Sequence, residues 1–291
     1  MNETISFWDA AFLWKEPMAA ALLAAALCGY LGVFVVLRRI AFVSAALSQV
    51  SGLGIAVAFW VGSFFNVSPH QPSIPLYLEP LTYALLFAAL ASLLLGVPGH
   101  VKRVSPESLV ALGYVAAGGL VILVLSSARI AQEAHEVGDL LFGTAVAVKR
   151  EHLITLAVVA AGVGVLHLFL FKDFMFTSFD PLSARAMGFP VRGLDAALHL
   201  SIGISVAVAT RAIGALPVFA FLVLPAGAAL LHVHRLRLVI VLSLAFALVA
   251  AGLGYYLSFI WRLPTGPTMV AVAAVAWLPP LVRALFGKTR L

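Results

Sequence analysis

The chain has 291 residues, of which 63% are hydrophobic and only 10% charged, and its mean hydropathy is +1.09. Soluble domains carry roughly 25% charged and 45–50% apolar residues, so this composition excludes a soluble enzyme, a nucleic-acid-binding domain and a disordered chain together. The net charge of +6 does not bring nucleic acid back as a partner. The Lys and Arg residues fall between apolar runs, where they set orientation in a membrane.

A helix needs about 20 apolar residues to cross roughly 30 Å of hydrocarbon. The sequence therefore predicts an all-α, polytopic integral membrane protein of about nine spans, with 1–291 as a single transmembrane domain. Glu3, Asp9 and Glu16 precede the first run without a basic n-region, so that run is expected to stay in the mature protein. It covers residues 17–37 and holds Cys28, the single cysteine, which leaves no internal disulfide and no cysteine-based metal site. The second span, 42–63, opens with Ser44, Ser48, Gln49 and Ser51. That locally polar start suits a substrate path, although small and polar residues also pack membrane helices together.

A Pro-rich loop at 64–78 leads to spans at 79–97 and 107–127. The connection 128–151 then carries Glu133, His135, Glu136 and Asp139, a carboxylate and imidazole set able to capture a zinc- or manganese-like cation, although such residues in a loop more often simply face water or contact a partner. The fifth span, 152–171, holds His167, and the sixth, 194–212, holds His199. Intramembrane histidines ligate haem, relay protons or, more often, bond to a neighbouring helix.

Between those two spans, the segment 172–193 has the signals of a short helix. Asp180 suits the N-cap, Pro181 the first helical position and Gly188 the left-handed stop. An isolated helix under two turns is marginal in water, so this one needs a membrane surface or a partner's groove. The seventh run, 214–231, is short and carries Pro217 and Pro225, which makes eight spans plus a half-helix the alternative count. His232 and His234 follow it, and spans at 238–260 and 267–286 end the chain.

Orientation follows from the basic residues. Arg38, Arg39, Lys102, Arg103, Lys172, Arg185, Arg192, Arg235, Arg237, Arg283, Lys288 and Arg290 fall on one side, against Lys15, Arg129, Lys149, Arg150, Arg211 and Arg262 on the other. The richer side is the cytoplasm, which gives N-out and C-in. Trp8, Trp14, Trp60, Tyr77, Tyr83, Tyr255, Tyr256 and Trp261 then share the outer edge, as an interfacial belt should.

Several stretches resemble one known family. SFDPLSARAMGFPVRGLDAAL is similar to the coupling region of the ATP-binding-cassette (ABC) permeases that import zinc, manganese or chelated iron. RAIGALPVFAFLVLPAGAALLHVHRLR, LPTGPTMVAVAAV, LGVFVVLRRIAFVSAALSQVSGLGIAVAF and LLFGTAVAV resemble other parts of the same family, in the same order. The resemblance implies a permease subunit in the inner (plasma) membrane, working as a homodimer or heterodimer along whose interface substrate passes. It also implies a separate ABC ATPase subunit and an extracytoplasmic substrate-binding protein as partners. Asp180, Pro181, Ala184, Arg185 and Gly188 would form the element that engages the ATPase. The sequence agrees in having no Gly-x-x-x-x-Gly-Lys-Ser/Thr phosphate loop, so ATP hydrolysis is expected in another chain.

The chain departs from the family where the second span commonly carries Asp and His four residues apart. Those positions are Ala45 and Gln49. Neither replaces a carboxylate or an imidazole as a metal ligand. The expected function is thus an importer permease for zinc, manganese or iron, with no cofactor resident in this chain. A non-metal ABC cargo, a secondary transporter and a haem-binding oxidoreductase subunit are the alternatives.

Overall fold

In hydrocarbon a chain must close its own backbone hydrogen bonds, so long Ala, Leu, Val and Phe runs become helices. The computed structural model describes residues 11–65, 75, 78–96, 105–127 and 148–279. Ten helices are complete within them: α1 (Ala11–Leu37), α2 (Ala41–Phe64), α3 (Pro80–Gly96), α4 (Pro106–Leu125), α5 (Arg150–Phe179), α6 (Pro181–Ala186), α7 (Val191–Ile213), α8 (Ala215–His232), α9 (Leu236–Trp261) and α10 (Thr265–Val275). Seven are long and apolar enough to cross a membrane, and Pro80–Leu95 and Thr265–Val275 are shorter apolar helices. The protein is all-α and polytopic.

Helix α1 lies at the centre, packed on α5, α7, α8 and α9, while α2 packs on α3, α4, α7 and α8. Small residues on α1 permit this crowding. A Cβ added at Gly32 would stand 2.3 Å from the Leu222 carbonyl oxygen of α8, and one at Gly29 would stand 2.8 Å from Ala247 Cβ of α9. The Ser243 hydroxyl of α9 adds a bond to the Gly29 carbonyl at 2.7 Å. Helices α4, α5 and α9 turn broad apolar faces outward, including Leu112, Val115, Leu168, Phe169 and Val241. Such faces suit lipid.

Three expectations are corrected. The fifth span does not stop at residue 171, because helix α5 continues to Phe179 and is 30 residues long. KDFMFTSF contains no Gly or Pro to end a helix, and only Pro181 does so, by disfavouring helical geometry at Asp180. At about 1.5 Å per residue, α5 spans about 45 Å and reaches well past a bilayer core of about 30 Å. Secondly, the suspected half-helix at 214–231 is one unbroken helix, α8, with Pro225 inside it. Lastly, α10 gives way to a turn at 276–277 rather than running straight through 267–286, and residues beyond 279 lie outside the described ones.

Candidate coupling and transport site

Helix α6 is closed at both ends by its own sequence. The Asp180 carboxylate accepts from the Ser183 amide at 2.9 Å, and Pro181 occupies the first helical position. Hydrogen bonds from the Ser183 hydroxyl and amide hold the Asp180 carboxyl below its ordinary value of 3.8. At the other end the Phe189 amide reaches the Ala184 carbonyl at 3.0 Å and the Gly188 amide reaches the Arg185 carbonyl at 3.1 Å. With Gly188 at φ +85, these two bonds form a Schellman stop. Ala184 is fully buried and the Phe189 ring packs edge-on against Phe176 of α5, 5.4 Å between centroids. Leu182, Arg185 and Met187 remain exposed, Leu182 by 76% and Met187 by 69%. A six-residue helix is thus clamped on one side and offers a mixed apolar and cationic face on the other.

Its base is held by a residue that the sequence presented only as an orientation charge. Arg38 begins the turn that follows α1, and its guanidinium donates to three side chains on two other helices. Nε reaches Ser178 Oγ at 2.8 Å, one Nη reaches Thr177 Oγ1 at 3.0 Å, and the other forms an ion pair with Asp195 of α7. The two hydroxyls donate their own protons to carbonyls of α5, Thr177 to Asp173 and Ser178 to Phe174, and accept from Arg38. Arginine has five donors in a rigid fork and no acceptor, so each group is used in its one available sense. Charges at the ends of predicted spans, Arg38 (next to Arg39) and Asp195, are the only sequence signal.

About three turns further along α5 and two along α7, the same helices are locked again. His167 of α5 bonds through Nε2 to Ser201 Oγ of α7 at 2.9 Å, and its ring sits among Tyr30 and Phe34 of α1 and Phe174 of α5. His167 is therefore an interhelical hydrogen bonder. His199 is not one in the same sense, since its Nδ1 bonds back to Asp195 O on its own helix at 2.8 Å. His232 likewise bonds to Ala228 O of α8, and His234 is exposed.

In the polar start of α2, Ser44, Ser48 and Ser51 are buried and Gln49 is half-buried. Ser44 Oγ bonds to Ala41 O at 2.6 Å and Ser48 Oγ to Ser44 O at 3.0 Å, so both hydroxyls are satisfied by their own helix. Ser51 Oγ is buried without a partner, as are Ser205 Oγ and Thr210 Oγ1 on α7, which packs against α2. The Gln49 amide oxygen points toward α4, 3.8 Å from where a Gly118 Cβ would sit. Ala45 is buried beside them. Among the described residues no group of three or more His, Cys, Asp and Glu is placed to hold a metal. Glu133, His135, Glu136 and Asp139 lie outside the described residues.

Residues 11–284 match the ABC 3 transport family. The chain belongs to that family. It is 28% identical over 267 residues to the "Manganese transport system membrane protein MntC" of Listeria monocytogenes, covering 90% of this chain and 89% of that one. It is also 28% identical over 268 residues to the "Chelated iron transport system membrane protein YfeD" of Yersinia pestis, covering 92% of this chain and 84% of that one. The fold is similar to a solved chain of PsaBC from Streptococcus pneumoniae in complex with Fab, with a TM-score of 0.79, 23% identity and 94% of each chain covered. As an ABC 3 family member the chain is a multi-pass transport protein, and α6 with its Arg38 base is the best-built polar assembly among its described residues.

Proposed function

We propose that this chain is the permease subunit of an ATP-driven importer of zinc, manganese or iron in the inner (plasma) membrane. The observation that carries the reading is α6, a helix too short to stand alone, fixed at both ends and exposing Leu182, Arg185 and Met187. That face fits a groove on a separate ATPase, with α6 on the cytoplasmic side and the chain N-out and C-in. The manganese and chelated-iron systems to which the relatives' names refer support the cargo class. An extracytoplasmic binding protein would deliver cargo to a permease dimer, and the path would follow the polar start of α2, with Ser44, Ser48, Gln49 and Ser51. ATP binding closes the ATPases, α6 carries the motion, and the helices switch access between the two sides.

Reversing the charge at Arg185, or Gly188→Val, is expected to abolish co-purification of the ATPase while membrane insertion stays intact. Gly188 has open space around it but a positive φ, so a β-branched side chain disrupts the stop rather than the packing. Normal co-purification with both variants would refute the docking role. The cargo is tested separately, by the zinc, manganese and iron content of cells lacking the chain under limitation of each metal. A selective deficit names the metal, and no deficit refutes a metal cargo.

A further inference from the structure

Helix α6 sits at the tip of three helices that are tied to one another at two levels. At the lower level Arg38 joins the end of α1 to Thr177 and Ser178 of α5 and to Asp195 of α7. At the upper level His167 and Ser201 join α5 to α7, with Tyr30 and Phe34 of α1 packed on the imidazole. Ser178 lies two residues before the Asp180 cap, and Asp195 lies seven after Gly188. Both chain ends that leave α6 are therefore gripped by one guanidinium.

The position of Arg38 in the chain gives the grip a direction. It begins the turn from α1 to α2, where Arg39 adopts a left-handed φ of 58 and the Ile40 amide bonds back to Val35 O at 3.0 Å. Only that closed turn separates Arg38 from Ala41, the first residue of α2, and from the polar run that begins at Ser44. A displacement of α6 thus has a short, fully bonded route to the start of α2. Coupling between sites needs an element that both of them bias, and here the element is the α1–α5–α7 unit.

We infer that Arg38 is the positioning residue that transmits the motion of α6 to α2. It touches neither cargo nor nucleotide, and it acts through the turn at 38–40. The inference rests on the reading of α6 as the ATPase-docking helix.

The test uses the complete system, with the permease expressed beside its ATPase and binding protein, and radioactive manganese as the probe. Arg38→Gln is expected to lower manganese uptake at least tenfold while the ATPase co-purifies in normal yield and ATP hydrolysis changes less than twofold. Arg38→Lys keeps a cation opposite Asp195 but loses the fork, and should give intermediate uptake. The double variant Thr177→Val, Ser178→Ala keeps the ion pair, and its uptake should fall by a smaller factor than that of Arg38→Gln. Uptake within twofold of normal in Arg38→Gln, or a parallel loss of uptake and co-purification in all three variants, would overturn the role of Arg38. Failure of the unsubstituted chain to bind the ATPase would instead overturn the functional reading beneath it, and failure to carry manganese alone would narrow the cargo to zinc or iron, with which the same variants are then read.

Discussion

The same chemical change, glycine to alanine, should have opposite effects at Gly32 and Gly162. A Cβ at Gly32 would fall 2.3 Å from the Leu222 oxygen, 2.9 Å from its carbonyl carbon and 3.2 Å from its Cα. All three atoms are backbone, so no side-chain rotation relieves the contact, and α1 and α8 must separate by about 1 Å to restore ordinary van der Waals distance. Overpacking of this kind costs about 1–3 kcal/mol, and the upper end applies because α1 also seats α5, α7 and α9. A Cβ at Gly162, on the exposed face of α5, meets nothing within 4 Å. There alanine only removes backbone freedom from the unfolded chain and gains about 0.5–1 kcal/mol. The two variants should therefore differ by about 3.5–4 kcal/mol, summing those two opposed effects. Unfolding in mixed SDS micelles, followed by circular dichroism, measures the difference. Equal stability of the two variants would refute the close α1–α8 crossing.

Further outcomes follow from single contacts. Ser243→Ala loses the interhelical bond to the Gly29 carbonyl and should cost only about 0.6 kcal/mol in the same titration, because the carbonyl keeps its own helix and unfolded membrane states find other partners. Ser51→Ala removes a buried hydroxyl that has no partner, so stability should hold or rise while metal uptake falls. Unchanged uptake would make Ser51 a packing residue. The folded-state value of the Asp180 carboxyl lies below 3.8, so its cap on α6 is complete above the ordinary value and fades only as pH falls through the depressed one. Hydrogen-exchange protection of the Ser183 amide, corrected for the intrinsic rate, should thus stay constant from pH 7 to about pH 5 and be lost at every pH in Asp180→Ala.

Much of the fold was legible because its causes are local. Apolar runs become helices wherever no water can satisfy the backbone, and the predicted and observed helices agree within two residues from α2 through α4, while α1 starts at Ala11 rather than 17. The cap and stop of α6 were also readable, since Asp180, Pro181 and Gly188 act on neighbours no more than a few residues away. The end of α5 was misplaced because the polar residues of KDFMFTSF look like loop. Thr177 and Ser178 instead bond their hydroxyls back into the helix and present lone pairs to Arg38.

Length, composition and charge distribution by themselves determined a polytopic helical chain, its approximate spans and a short capped helix between α5 and α7. Each of these depends on sequence neighbours and on the low polarity of the surrounding lipid. Tertiary structure alone decided that Arg38 reaches residues 139, 140 and 157 positions away, and that Gly32 is a contact whereas Gly162 is open surface. A guanidinium at the end of a span reads the same whether it meets water or a waiting carboxylate. Only the crossing of three helices brings Asp195, Thr177 and Ser178 within the span of one planar fork.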